Sequence, residues 1–293
     1  MSLPIVSIGI CVKNAEATIK EAIESVLKQD YPHKFLELII VDGYSKDNTV
    51  SIIEKILSNS DLNYKIFYEN EGLGNARQIV LENSSGKYIL WVDGDIILSH
   101  NYLRKHVNFM EKNPNVGVAA GKFSFIKETE TISKLENIDW VVGDYRKRQA
   151  FTADPIRICC AGSIFRVNSL KQAGGFDKRI KGACEDIDLA YRIQEAGWRI
   201  HFGVNAELQH VGKKKLKSLW KENFWYGYGG HYVIHKHSAK IHSSFIEAFQ
   251  RVSLAYKLTR CKIIFLLPIL YLFKKIAWLY GFTKAHIDSY GHI

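Results

Sequence analysis

Short apolar runs alternate with amphipathic stretches through the first third of the chain. Ile5 to Val12 is an almost unbroken apolar segment and predicts a buried strand. Ile19, Ala22, Ile23, Val26 and Leu27 then recur at the spacing of one helical face. Leu38 to Val41 is fully apolar, as in a parallel strand covered on both faces, and Asp42-Gly43 ends it. Val50, Ile53, Ile56 and Leu57 predict a second helix, and Tyr64 to Tyr68 a third strand. The turn Glu71-Gly72-Leu73-Gly74 leads into a short helix through Ile79 and Val80. Tyr88 to Val92 is a fourth predicted strand, stopped by Asp93-Gly94-Asp95. This alternation predicts an α/β fold with a doubly wound, mostly parallel sheet. Ligands of such sheets bind beyond the carboxyl ends of the strands. Asp42 and Asp93, both at predicted strand ends, are therefore expected to face one crevice.

Beyond Gly121 the pattern loosens, and Lys122 to Arg157 is expected to contain a mobile loop. Order returns at Gly162 to Arg166. Glu185 to Ala196 reads as a helix with Ile187, Tyr191 and Ile193 as apolar contacts, and His210 ends a predicted strand. From Val211 onward the chemistry changes. Val211 to Ile293 carries 14 Lys and Arg against 3 Asp and Glu, whereas the preceding part is close to neutral. This divides the chain into residues 1–210, which hold the candidate catalytic groups, and a basic, aromatic-rich helical extension, 211–293.

Within that extension, Phe245, Phe249, Val252 and Tyr256 fall on one helical face. Ile263 to Phe273 is apolar, Lys274-Lys275 interrupts, and Ile276 to Phe282 resumes. The uninterrupted run is shorter than the ~20 apolar residues a spanning helix needs. A spanning helix also places both lysines near mid-membrane, at a cost of several kcal/mol. The segment is therefore expected to lie on an anionic membrane surface with its lysines snorkelling to headgroups. The competing expectation is a pair of helices that merely covers the rest of the protein.

Composition narrows the class further. The 47% hydrophobic and 24% charged content is that of a globular protein and argues against wholesale disorder. Five cysteines without a C-x-x-C pair read as reduced thiols. The start of the chain has no basic segment or cleavage site, so no secretory signal is expected. Together with the basic, apolar extension, these lead to an expected location in the cytoplasm, peripheral at the inner face of the cell membrane.

Two acidic clusters carry the candidate chemistry. Asp93-Gly94-Asp95 sets two carboxylates on a tight turn, where they repel unless a cation sits between them. Taken alone, a D-x-D turn is more often a solvated surface feature. Glu185-Asp186-Ile187-Asp188 opens a helix, where one or two acids serve capping and the helix dipole. Three exceed that need, and one is available to take a proton from an attacking hydroxyl. His210 is by itself most simply structural, but imidazole can join carboxylates around a metal.

The ordered set of motifs resembles the family 2 glycosyltransferases of the GT-A, Rossmann-like fold. The resemblance rests on Val6-Ser7-Ile8 with Asn14, Ile40 to Thr49, then Gly72, Gly74 and Arg77, and Trp91 to Asp95. It continues through Gly162 to Arg166, Gly174 to Asp177, Glu185 to Leu189, Gly197-Trp198-Arg199 and His210. It covers roughly Ile5 to His210 and implies an inverting, nucleotide-sugar-dependent enzyme with a C-terminal, membrane-associating extension. It implies that Asp42 meets the nucleobase and that Arg77 and Gly74 belong to the nucleotide site. Asp93 would contact the ribose or a metal-bound water, and Asp95 a divalent ion, Mn²⁺ or Mg²⁺, with His210 beside it. Asp186 is the implied general base, ahead of Glu185. The family's V-D-D-G-S is Val41-Asp42-Gly43-Tyr44-Ser45 here, which alters the nucleotide contacts.

The expected donor is UDP-linked in preference to GDP-linked, and the expected acceptor a glycan or lipid-linked hydroxyl. The Q-x-x-R-W motif of processive members is absent, so transfer of one sugar is expected. The alternative is a basic nucleic-acid- or membrane-binding protein on an inactive scaffold. No nucleic acid is expected as a partner, because the basic region is also strongly apolar and the neutral part retains its acids. A nucleotidyltransferase is disfavoured because no glycine-rich loop with a nearby basic residue is present to receive a triphosphate.

Overall fold

A computed structural model describes residues 3–127, 130–149, 159–238 and 245–291. Each predicted strand of the first third forms. They are β1 (Val6–Val12), β2 (Leu36–Asp42), β3 (Asn63–Tyr68) and β4 (Tyr88–Trp91). Between them lie α1 (Ile19–Leu27), α2 (Thr49–Leu57) and α3 (Leu73–Asn83). The chain continues with β5 (Ile96–Leu98), α4 (Tyr102–Lys112), β6 (Val116–Phe123), α5 (Thr131–Gln149), β7 (Ser163–Arg166), α6 (Val167–Gln172), α7 (Glu185–Glu195) and β8 (Arg199–His210). Three further helices follow: α8 (Leu216–His237), α9 (Phe245–Thr259) and α10 (Leu267–Ile287).

Among the described residues the strands form one eight-stranded sheet, ordered β3-β2-β1-β4-β7-β6-β8-β5. β1 runs parallel to β2 and β4, and β2 parallel to β3, whereas β7 is antiparallel to β4 and β6. The register pairs Val12 with Asp42 and Asp42 with Tyr68, so three strands end on one row. The core beneath that row includes Ile39, Val41, Val80, Ile89, Trp91, Phe165 and Phe176. Trp91 is fully buried and lies across β1 at Gly9, where a Cβ would come within 2.6 Å of the indole. Only glycine leaves room there for a tryptophan at the end of the neighbouring strand.

The chain divides into two compact units. The first comprises Met1–Lys122, Ala153–Lys181 and Glu185–Gln209; the second comprises Phe123–Thr152, Gly182–Cys184 and His210–Ile293. Within Lys122 to Arg157, the stretch expected to contain a mobile loop, Thr131–Gln149 is helix α5. Residues 150–158 lie outside the described residues, as do the side chains of Phe245 and Phe249. The apolar rhythm of α5 is hidden because this helix buries polar groups as well as Leu135, Ile138 and Val142. Ser133, Glu136, Asn137 and Asp144 are also buried.

Those acids explain the fate of Lys274. Its ammonium pairs with Glu136 and lies 3.1 Å from Asp139, which also receives Arg251 at 3.0 Å and the Tyr271 hydroxyl at 2.8 Å. Lys274 therefore points into the second unit rather than snorkelling to headgroups, which corrects that expectation. The Lys275 ammonium instead lies over the ring of Trp278 on the same helix, 4.6 Å from its centre. The stretch Lys262–Ile287 is long and apolar enough to cross a membrane by length and composition alone. The count of uninterrupted apolar residues understated it. Phe265, Ile269, Leu272, Ile276, Leu279 and Tyr280 form an exposed row along this segment.

Removing one member of a buried ion pair leaves its partner uncompensated, at about 3–5 kcal/mol. Lys274→Gln should lower the unfolding free energy by that order. Lys275→Gln should cost no more than about 1 kcal/mol, the scale of a cation–π contact. Denaturant titration of both variants checks the contrast, and equal small effects would return Lys274 to the surface.

Candidate functional site

The first group sits where β2 ends. Asp42 is buried, and its carboxylate accepts the Ser45 amide at 2.7 Å and the Ser45 hydroxyl at 2.6 Å. The turn between them places Tyr44 in the left-handed region, φ 56°, with its ring exposed and 5.7 Å from Tyr68. The Asn14 amide donates to the Ser45 hydroxyl and the Lys46 amide donates to the Asn14 side chain, both at 2.8 Å. Asp47 accepts from the Thr49 amide and hydroxyl as α2 begins. The polar string from Ser45 to Thr49 thus latches the loops after β1 and β2 together and fixes the Asp42 carboxylate.

The second group centres on Arg77. Its side chain leaves α3 buried, with the guanidinium 4.9 Å from the centre of the Trp91 ring. Nε donates to Glu185 Oε1 at 2.7 Å, and Nη2 to Asp93 Oδ1 at 3.2 Å. Nη1 is buried and has no hydrogen-bond partner among the described residues. A planar fork with several donors can join two carboxylates in this way, where a lysine offers a single point charge. Trp91 in turn packs edge-on against Phe176, with centroids 5.3 Å apart. The platform under the guanidinium is therefore part of the hydrophobic core.

The three acids that open α7 have separate fates. Glu185 is buried and held by Arg77. Burial and the neighbouring Asp186 push its carboxyl up to about 7, against the opposing pull of Arg77. Asp186 is half-buried, accepts the Cys160 amide at 3.3 Å, and is also pushed up, chiefly by burial. Asp188 is fully buried and grips Arg192, which also donates to the carbonyls of Ala173 and Gly175. That acid serves packing. The Cys160 thiol lies close to the Glu185 and Asp186 carboxylates, and burial pushes its pKa well up, so it remains neutral.

Asp93 and Asp95 flank buried Gly94 on the turn after β4, closed by the Ile96 amide donating to the Asp93 carbonyl at 3.0 Å. Asp93 is one third exposed and Asp95 half-buried. Arg77 engages Asp93 through Oδ1, and the oxygen chemistry of this turn fits a hard divalent cation. His210 belongs to the second unit. It is buried, its ring lies 4.9 Å from Trp140, and its carbonyl accepts from Asn137. Gly74 approaches Ile180, whose carbonyl accepts its amide at 3.2 Å, and a Cβ there would lie 2.3 Å from the Asp177 carbonyl.

Arg77, Asp93, Glu185 and Asp186 are thus gathered in the first unit, with Asp42 on the adjoining row of strand ends. The sequence reading missed the use of Arg77 to tie the two acidic motifs together. It also missed Trp91 as the platform and the Cys160 amide as a donor to Asp186. The one available signal was a tryptophan two residues before the D-G-D turn.

Known proteins resemble the chain as follows. The family described as Glycosyl transferase family 2 matches residues 7–174. A poly-beta-1,6-N-acetyl-D-glucosamine synthase of Staphylococcus epidermidis is 24% identical over 231 residues, covering 78% of this chain and 55% of that protein. The protein of the same name from Staphylococcus aureus (strain COL) is 25% identical over 223 residues, covering 75% and 53%. The chain spans about half the length of these curated relatives. A mannosyltransferase, PcManGT from Pyrobaculum calidifontis, solved with GDP-Man and Mn²⁺, aligns with a TM-score of 0.66 at 18% identity, covering 98% of this chain and 88% of that one. S. aureus TarS 1-349, solved with UDP-GlcNAc, aligns at 0.54 and 16% identity, covering 97% and 91%. At these identities the two structures show a shared fold.

The raised Glu185 carboxyl has a consequence for stability. An unfolded glutamate titrates at about 4.3. The native state therefore binds this proton more tightly than the unfolded chain. The stability it contributes is full below about pH 4.3 and is lost as pH rises through about 7. The unfolding free energy of wild type minus that of Glu185→Gln should fall across that window. A difference that grows with pH would mean that Arg77 holds the carboxyl low.

Proposed function

The chain belongs to glycosyl transferase family 2, and on that premise we propose that it moves one sugar from a nucleotide-diphosphate donor to an acceptor hydroxyl with inversion. The observation that carries this reading is the Arg77 bridge between Asp93 and Glu185, with Asp186 half-exposed beside it. The bridge ties a candidate cation-binding turn to a candidate base in one unit.

In this reading Asp42 accepts an imide or amide N–H of the nucleobase. The Ser45 contacts hold its carboxylate in place for that purpose. Arg77 retains Nη1 as a donor toward the diphosphate. Asp93 meets the ribose or a metal-bound water, and Asp95 binds the divalent ion, Mn²⁺ or Mg²⁺. The ion supplies positive charge to offset what develops on the leaving diphosphate. Asp186 removes the proton of the attacking hydroxyl. Glu185 is less suited to that role, because it is buried and its carboxylate already binds Arg77.

We favour a UDP-linked donor over a GDP-linked one. The TarS structure solved with UDP-GlcNAc supports uridine, the mannosyltransferase solved with GDP-Man keeps guanosine as the alternative to test, and the curated relatives are named for an N-acetylglucosamine polymer. Those relatives are polymer synthases by name, so product length is part of the test. The acceptor is a glycan or lipid-linked hydroxyl at a membrane. The exposed apolar row from Phe265 to Tyr280 and the basic character of Val211 to Ile293 support peripheral attachment to an anionic bilayer on its cytoplasmic side.

Donor binding and transfer separate the roles. With Mn²⁺ present, Asp95→Ala should lose affinity for UDP-sugars, and chelation of the metal should stop turnover. Asp186→Asn should bind the donor within a few-fold of wild type yet transfer slower by about 10²–10⁴, the range for loss of a general base. Calorimetry and a transfer assay with products resolved by size read both. Full donor affinity in Asp95→Ala, or wild-type transfer in Asp186→Asn, would overturn the corresponding role.

A further inference from the structure

A second cluster of metal-ligating groups lies in the helical unit and takes no part in the reading above. His231 and His235 stand one turn apart on α8, and His286 lies near the end of α10. His231 is fully buried, whereas His235 and His286 are exposed. The two helices meet closely here: Gly227 of α8 and Gly281 of α10 each face backbone of the other helix, where a Cβ would collide.

His231 is held before any ion arrives. Its Nδ1 lies 2.7 Å from the Tyr290 carbonyl, and the Phe282 ring packs edge-on at 4.8 Å between centroids. Tyr290 is itself stacked against Tyr228 at 4.6 Å. A carbonyl can only accept, so Nδ1 carries the proton and Nε2 presents its lone pair. Metal-bound histidines use this arrangement, with the second ring nitrogen donating to a carbonyl.

That lone pair faces two other imidazole nitrogens. His235 Nε2 is 3.1 Å away and His286 Nδ1 is 3.4 Å away. All three ligand atoms lie within 4.8 Å of one another. In a tetrahedral site with zinc–nitrogen bonds of about 2.0–2.1 Å, neighbouring nitrogens are separated by about 3.3–3.4 Å. The cluster already approximates one face of such a tetrahedron around His231. Three imidazoles and no carboxylate select a borderline cation such as Zn²⁺ over Mg²⁺ or Mn²⁺.

We propose that His231, His235 and His286 form a zinc site that clamps the end of α10 to α8. The exposed histidines give the ion a path in, and the buried one fixes its position. This site is separate from the oxygen-rich turn at Asp93 and Asp95 and needs no nucleotide.

The test uses the full chain, stripped of metal and without nucleotide. Co²⁺ is the spectroscopic probe, because tetrahedral nitrogen coordination gives strong visible bands and octahedral oxygen coordination gives faint ones. Wild type should develop the strong bands with one equivalent, lose them on addition of Zn²⁺, and gain melting temperature with Zn²⁺. Loss of an outer-shell partner weakens metal sites 10–100-fold, so loss of a direct ligand in His286→Asn should weaken zinc binding by at least about 100-fold. His235→Asn/His286→Asn should abolish the bands and the melting gain. Both side chains are exposed, so its circular dichroism should match that of metal-free wild type. Unchanged bands or zinc affinity in the double variant would overturn the assignment. So would a wild-type chain that takes up no zinc at micromolar concentrations, which would leave the cluster a set of imidazole hydrogen bonds.

Discussion

A single buried cation organises the first unit. Arg77 places its guanidinium over Trp91, and a charge in that position is tolerated only if it is paired. Glu185 and Asp93 provide the pairing, from segments that lie far apart in the chain. The same interaction therefore stabilises the cation and brings two acidic motifs to one place. It also divides the acids that open α7: Glu185 is committed to Arg77, Asp188 to Arg192, and Asp186 is left half-exposed.

The sheet makes this arrangement possible. Parallel pairing of β1, β2 and β3 levels their carboxyl ends at Val12, Asp42 and Tyr68. The turn after β4 then presents Asp93 and Asp95 next to the seat of Trp91. Gly9 admits the indole, and the indole supports Arg77. Packing in the core and positioning of polar groups at the strand ends are thus one problem rather than two. The second unit solves a similar problem differently, burying Lys274 against Glu136 and Asp139 while an apolar row stays outside.

The strands and helices of the first third were legible because each buries one apolar set with a clear period. Asp42, Asp93 and Asp186 were legible as candidates because they punctuate those elements. Helix α5 was not, since its buried face carries Glu136 and Asn137, whose partners lie elsewhere in the chain. The fate of Lys274 was hidden for the same reason: an ion pair between α5 and α10 leaves no periodic trace. The Arg77 bridge was equally invisible, because sequence spacing cannot show which of several acids a buried arginine meets.

The bridge is most directly tested by a double-mutant cycle on unfolding free energy, using Arg77→Met, Glu185→Gln and the combined variant at pH 8. The pH keeps Glu185 mostly ionised in the native state. Residues in direct contact show interaction energies of about 0.5–3 kcal/mol, and independent sites add to within about 0.3–0.5 kcal/mol. The expected coupling is at least about 1 kcal/mol, with the double variant less damaged than the two single losses imply. Additive losses would contradict a bridge between Arg77 and Glu185.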